Sequence, residues 1–142
     1  MRPTPEAGRV NVGSKGRGYR SFDVDGFEIL VGKGSADNDR LTFGVAAPRD
    51  LWLHVAGPAG SHVVVRNPAE LDEIPRPVLE AAAQLAAWHS KARGSRGKIE
   101  VHVCRVADVR KPRGFAAGKV LLKRWDAVRV YAKDPGSTGE EE

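Results

Sequence analysis

The segment Asp50-Leu51-Trp52-Leu53-His54-Val55-Ala56-Gly57-Pro58-Ala59-Gly60-Ser61-His62-Val63-Val64-Val65-Arg66 constrains the fold more than any other stretch of the chain. Successive side chains of a strand point to opposite faces. Leu51, Leu53 and Val55 therefore form one apolar face, while Asp50, Trp52 and His54 share the other. Gly57-Pro58-Ala59-Gly60 is a tight loop that returns the chain through Ser61 and His62. The unit is strand, glycine loop, strand, with an acid, an indole and imidazoles held on stiff backbone.

The remaining elements are read around it. Tyr19–Val24 alternates as a strand, Asp25-Gly26 is a hairpin signal, and Phe27–Gly32 is the return strand. Ser35 or Asp37 caps a short helix through Leu41 and Val45; a strand over Leu41, Phe43 and Val45 fits equally well. Val78–Ser90 is the best helix, entered at Pro75 or Pro77, with Val78, Ala82, Leu85 and His89 on one stripe. Its alanines imply close packing on a sheet. It is expected to stop near Gly94, with Lys91 and Arg93 at its negative end. Lys98–Val106, Val120–Lys123 and Val128–Tyr131 read as further strands. The fold class is α+β, a mostly antiparallel sheet packed on one main helix, with a possible second short helix.

Charge points to the partner class. Asp134 to Glu142 holds four acids and no base, while Lys91–Arg124 holds eleven bases and two acids, Glu100 and Asp108. A field this concentrated attracts polyanions. Residues 1–18 read as a disordered basic arm, 19–133 as the folded domain and 134–142 as a disordered acidic tail. No apolar run approaches the roughly 18 residues of a membrane helix, and no signal peptide is visible. With a single cysteine, Cys104, no internal disulfide can form. Both facts favour a reducing cytoplasm. Cys104 lies in an apolar alternation and reads as a small core residue.

The polar residues invite several chemistries. Asp50 and His54 stand about 13 Å apart at roughly 3.3 Å per residue, too far to share a metal with His62 on a regular strand. Ser61 and His62 are strand neighbours facing opposite ways, and no G-x-S-x-G elbow is present. Gly32-Lys33-Gly34-Ser35 lacks the full phosphate-loop pattern, yet Lys33 on a glycine turn suits one phosphate. Lys111-Pro112-Arg113-Gly114-Phe115-Ala116-Ala117-Gly118-Lys119 mixes cations, a ring and flexible points, as an RNA-contacting loop does. An ordinary surface connection with Phe115 tucked into the core fits it as well. Trp52 and Trp88 read as packing residues, and Trp125 as half exposed.

These residues together resemble the NFACT-R domain, the RNA-binding module of the NFACT proteins of ribosome-associated quality control. The resemblance is carried by Asp25-Gly26-Phe27, by Gly32-Lys33-Gly34 with Asn38-Asp39, and by Asp50-Leu51-Trp52-Leu53-His54 followed by Pro58-Ala59-Gly60-Ser61-His62. It continues through the helix with Glu80-Ala81-Ala82 and Leu85-Ala86, and through Val109-Arg110-Lys111-Pro112 with Gly114 and Gly118. The match spans Tyr19 to Tyr131. Ala59 is one residue more than the family's Pro-Gly-Ser-His, and Lys33-Gly34 replaces its Arg-Asn. Lys offers a point charge where Arg would bind bidentately.

The resemblance implies RNA binding by a stand-alone domain, with tRNA or ribosomal RNA and the large ribosomal subunit as partners, no cofactor and no metal. The chain is too short for the N-terminal domain, helix-hairpin-helix and coiled-coil arm of full NFACT proteins, so alanine tailing is not expected of it. The candidate RNA-binding residues are Lys33, Asp50, Trp52, His54, His62, Arg66, Lys111, Arg113 and Lys119. Lys33, Arg66, Lys111 and Arg113 are assigned to phosphates. His54 and His62 fix the loop or touch RNA, and Asp50 and Trp52 order the strand, with Asp50 accepting backbone N–H bonds. Two alternatives stay open: a hydrolase using His54 and His62 as acid and base, and a module docking on a ribosomal protein.

Overall fold

The computed structural model describes residues 11–13 and 17–133. Nine strands and two helices follow in chain order among these residues. They are β1 (Asn11–Gly13), β2 (Tyr19–Val24), β3 (Phe27–Gly32), α1 (Ser35–Arg40), β4 (Leu51–Val55), β5 (Val63–Val65), α2 (Arg76–Trp88), β6 (Ile99–Arg105), β7 (Val109–Arg110), β8 (Leu121–Leu122) and β9 (Asp126–Val130). Seven strands form one antiparallel sheet in the order β1-β2-β3-β5-β4-β6-β9, and β7 pairs with β8 apart from it. The α+β class is as the sequence implies. No described helix is long and apolar enough to cross a membrane.

The β2–β3 hairpin turns on Asp25 and Gly26, both at positive φ (52° and 86°), the geometry that a two-residue hairpin with right-handed twist needs. Alternation then sorts the sheet into two apolar faces. Ile29, Val31, Leu51, Leu53, Val55, Val63, Val65 and Val101 pack against α2, whose Val78, Ala82, Leu85 and Ala86 press closely because alanine lets the helix approach. Leu30, Trp52, Val64 and Cys104 point the other way and are covered by Leu41, Val106 and Val109. The molecule has three layers, with α2 on one side of the sheet and α1 plus the 106–122 segment on the other.

Four expectations are corrected. The short helix is capped by Gly34, not Ser35 or Asp37, and continues as a wider π turn over Leu41–Val45 instead of a strand. Leu41 is buried there while Phe43 and Val45 are exposed, so the three do not share a face. Helix α2 stops at Trp88, not near Gly94, because the glycine loop takes over its end. Ser61 N–H donates to His89 O, and Lys91 N–H donates to Ala59 O. Val120–Lys123 shortens to β8 and lies outside the main sheet. Finally, β1 lies within the segment expected as an arm and pairs with β2. The rest of residues 1–16 and all of 134–142 lie outside the described residues.

Candidate nucleic-acid interface

The site begins with a chain of hydrogen bonds behind the glycine loop. Trp52 Nε1–H donates to Thr42 Oγ1 at 3.2 Å, and Thr42 Oγ1 lies 2.8 Å from His62 Nδ1. His62 Nε2 lies 3.1 Å from the carbonyl of Gly118. A carbonyl can only accept, so Nε2 carries the proton and Nδ1 accepts from the Thr42 hydroxyl. His62 N–H in turn donates to Asn38 Oδ1 at 3.1 Å. Every polar atom of His62 is thereby used in its neutral form, at 1% exposure.

Gly118 joins this chain to a second one. Its N–H donates to Asp39 Oδ1, and Asp39 Oδ2 lies 3.1 Å from Lys111 Nζ. Lys111 also donates to the carbonyls of Ala116 and Lys119. Gly118 sits at φ +81°, with the space beside its Cα held by Ser35, so a side chain there is strained. Gly60 is required for a different reason. A Cβ on it would come within 2.7 Å of Ser90 Cβ, where the loop crosses the end of α2.

Burial pushes the His62 imidazole down to about 4, with the neighbouring His54 adding to the effect. His54 is lowered in the same direction, first by burial. The unfolded chain, with its histidine near 6.5, therefore takes up a proton before the folded one as pH falls. Stability from His62 is fully present above pH 6.5 and drains away between there and pH 4, roughly 3 kcal/mol in all. Urea unfolding at pH 7.5 and 4.5 should show most of this loss, and His62→Gln should flatten it. A wild-type stability that is level or rising toward pH 4.5 contradicts the assignment.

The structure redistributes the expected site residues. Asp50, Trp52 and His62 are 1%, 2% and 1% exposed, which leaves no surface for RNA; they are interior supports. Asp50 does accept backbone N–H bonds, from Ala47 and Asn67. Arg66, assigned to phosphate, is instead the ion-pair partner of Asp50 at 2.8 Å. That pair sits at the end of β4 and β5 opposite the glycine loop. Lys111, also assigned to phosphate, is spent on Asp39 and two carbonyls. The expected acid–base pair loses His62, whose nitrogens are both engaged. Lys33, Arg113 and Lys119 are exposed, and His54 is partly so. Cys104 is buried and its thiol is pushed up to about 12, first by burial, so it stays protonated.

Two concavities flank the loop. One, of about 490 Å³, is walled by rings: His54 and His102 are cross-strand partners on β4 and β6, and Trp125 lies 5.4 Å from His102. The other, of about 400 Å³, is lined by Arg20, Lys33, Lys91 and Arg93. Arg93 lies over the Trp88 ring at 4.8 Å, which holds its guanidinium near the end of α2. The two share Ser35, Asn38, Ala59 and Gly60. Arg20, Lys91, Arg93 and His102 are not among the RNA-binding residues the sequence points to, Lys91 and Arg93 being read there only as complements of the helix end. For Arg20 a signal existed: the Asp25-Gly26 turn sets Tyr19 opposite Gly32, which brings Arg20 beside Lys33. Nothing local marks His102.

Cations along a groove that opens onto exposed rings are the equipment of a nucleic-acid-binding module. Residues 18–124 match the family model described as the NFACT protein RNA binding domain, and the chain belongs to that family. It is 43% identical over 107 residues to the Rqc2 homolog RqcH of Bacillus subtilis, covering 75% of this chain and 18% of that protein. The Rqc2 homolog RqcH of Streptococcus suis is 37% identical over 102 residues, covering 72% and 18%. Among solved structures, the C-terminal part of the fibronectin/fibrinogen-binding protein from Streptococcus suis superposes with a TM-score of 0.75 at 34% identity, over 83% of this chain and 46% of that one. The chain thus spans less than a fifth of the length of these curated relatives.

Proposed function

We propose that this domain binds tRNA or ribosomal RNA as a non-catalytic module of ribosome-associated quality control, acting in the cytoplasm on the large ribosomal subunit. The observation that carries the reading is the groove of Arg20, Lys33, Lys91 and Arg93, continuous with the ring-walled cleft across the Gly57–Gly60 loop. Family membership and the RqcH relatives support RNA and the ribosomal setting. Groove cations neutralise successive phosphates, while Lys119 adds a charge in the lining of the cleft and Arg113 is a further exposed cation on the same connection.

Binding of tRNA by this domain should fall steeply with salt. Four groove cations at about 0.7 released ions per phosphate give a log–log slope close to −3 on single-stranded RNA. Lys91→Ala with Arg93→Ala should flatten the slope by about 1.4. Both residues are exposed, so stability should change by within about 0.5 kcal/mol. Filter-binding titrations against tRNA and purified large subunits, with thermal melts of the variant, check this. A salt-independent affinity contradicts the groove.

A further inference from the structure

The ring-walled cleft has a shape and lining that the groove's electrostatics do not explain. Trp125 is 50% exposed, yet its indole is backed by His102 at 5.4 Å with the planes 41° apart. Leu121, 51% exposed, lies on the same cleft. A large aromatic and a large aliphatic side chain left in water around one concavity mark a binding surface. The cleft, about 490 Å³, falls within the roughly 300–1,000 Å³ of small-ligand sites. Its deep polar groups are already spoken for. His62 Nε2–H is held by Gly118 O, and Gly118 N–H by Asp39. What the cleft offers a guest is mainly apolar surface and π faces, with Ser35, the imidazoles of His54 and His102, and Lys119 as polar groups in its lining.

Resting on the RNA-binding reading above, we propose that this cleft takes one unpaired nucleobase, stacked on Trp125, from an RNA whose phosphates lie in the Arg20–Lys33–Lys91–Arg93 groove. Bases inside an A-form helix are stacked on each other and cannot enter. The ligand class is accordingly RNA with a free end, bulge or loop nucleotide next to the bound backbone. The shared residues Ser35, Asn38, Ala59 and Gly60 make groove and cleft continuous, so a strand held by its phosphates in one can turn a base into the other. Stacking on a ring without hydrogen-bond readout tolerates any base, and purines, with more π surface, should bind better than pyrimidines.

The test uses the full chain and three fluorescein-labelled RNA hairpins, read by anisotropy. One is blunt, one carries a four-nucleotide 3′ overhang, and one carries that overhang with abasic sites. The wild type is expected to prefer the overhang to both others. Trp125→Ala should lose roughly 5–150-fold on the overhang RNA and leave the blunt hairpin unchanged, with Trp125→Phe restoring most of the loss. A thermal melt of each variant establishes that it is folded. Lys91→Ala with Arg93→Ala should weaken all three RNAs alike. Equal wild-type affinity for the three hairpins, or an unchanged overhang affinity in folded Trp125→Ala, overturns the stacking site while leaving the groove standing. Absence of binding to all three overturns the RNA-binding reading and this inference with it.

Discussion

Trp52→Ala is expected to lower the unfolding free energy by about 3–5 kcal/mol, the range for removing a large buried aromatic. The indole is 2% exposed and sits mid-sheet, paired to Val64 on one side and Cys104 on the other. It fills the layer bounded by Leu30, Leu41, Val106 and Val109, so its removal leaves a cavity that strands on both sides cannot close. It also removes the donor to Thr42 Oγ1 and loosens the chain that orients His62. Trp52→Phe separates the two effects. It keeps most of the ring and should cost less, with a remainder of about 1 kcal/mol for the lost hydrogen bond. Urea unfolding monitored by circular dichroism measures both. If Trp52→Ala melts like the wild type while losing RNA, the indole is a stacking platform and the layer is misread.

Asp50→Ala should be comparably severe, about 3–5 kcal/mol, because it takes the acceptor from two backbone N–H groups and the counter-charge from Arg66 at once. Asp50 Oδ1 accepts from Asn67 N–H at 2.7 Å, Oδ2 accepts from Ala47 N–H at 2.9 Å, and Arg66 Nε lies 2.8 Å from Oδ2. One carboxylate therefore ties the start of β4, the end of β5 and the segment leading out of α1. Arg66→Ala leaves the buried Asp50 carboxylate without its counter-charge but with both backbone N–H donors, so it should cost less than Asp50→Ala and more than an ordinary surface change. The double variant should cost less than the two single losses added, since the pair is a coupled unit. Strict additivity in urea titrations would show that Asp50 acts through its backbone hydrogen bonds alone.

Much of the architecture was legible because it is written in short-range rules. The Asp25-Gly26 turn and the alternation on its flanks set the first hairpin and its register. The alternation from Asp50 to Val55 separated two faces correctly, with Leu51, Leu53 and Val55 turned to α2. The sequence does not reveal that the other face is also interior. It becomes so because α1 and the turn after it pack on it from one side and residues 106–122 fold back across it from dozens of residues away, contacts that leave no trace in local periodicity. Asp50, Trp52 and His62 stand among the candidate RNA-binding residues for that reason, although Trp52 reads as a packing residue and Asp50 as an acceptor of backbone N–H bonds. Lys111 was misplaced by the same fold-back, which carries it to Asp39. The basic groove draws on β2, the turn after β3 and the end of α2, and only its Arg20–Lys33 half follows from a register that the sequence marks.

The sutures at the glycine loop have a kinetic meaning. Ser61 N–H to His89 O, Lys91 N–H to Ala59 O and the Gly60–Ser90 bridge fasten the loop to the end of α2 within the domain's own fold. This surface, the one proposed above to meet RNA, has therefore lost its conformational freedom at folding, and binding need not order it again. Encounter then proceeds at a speed set by long-range charge, nearly the same for every RNA of similar length. Discrimination between one RNA and another falls to how long each stays bound. A domain built this way samples many RNA surfaces briefly, and dwells only where the fit holds.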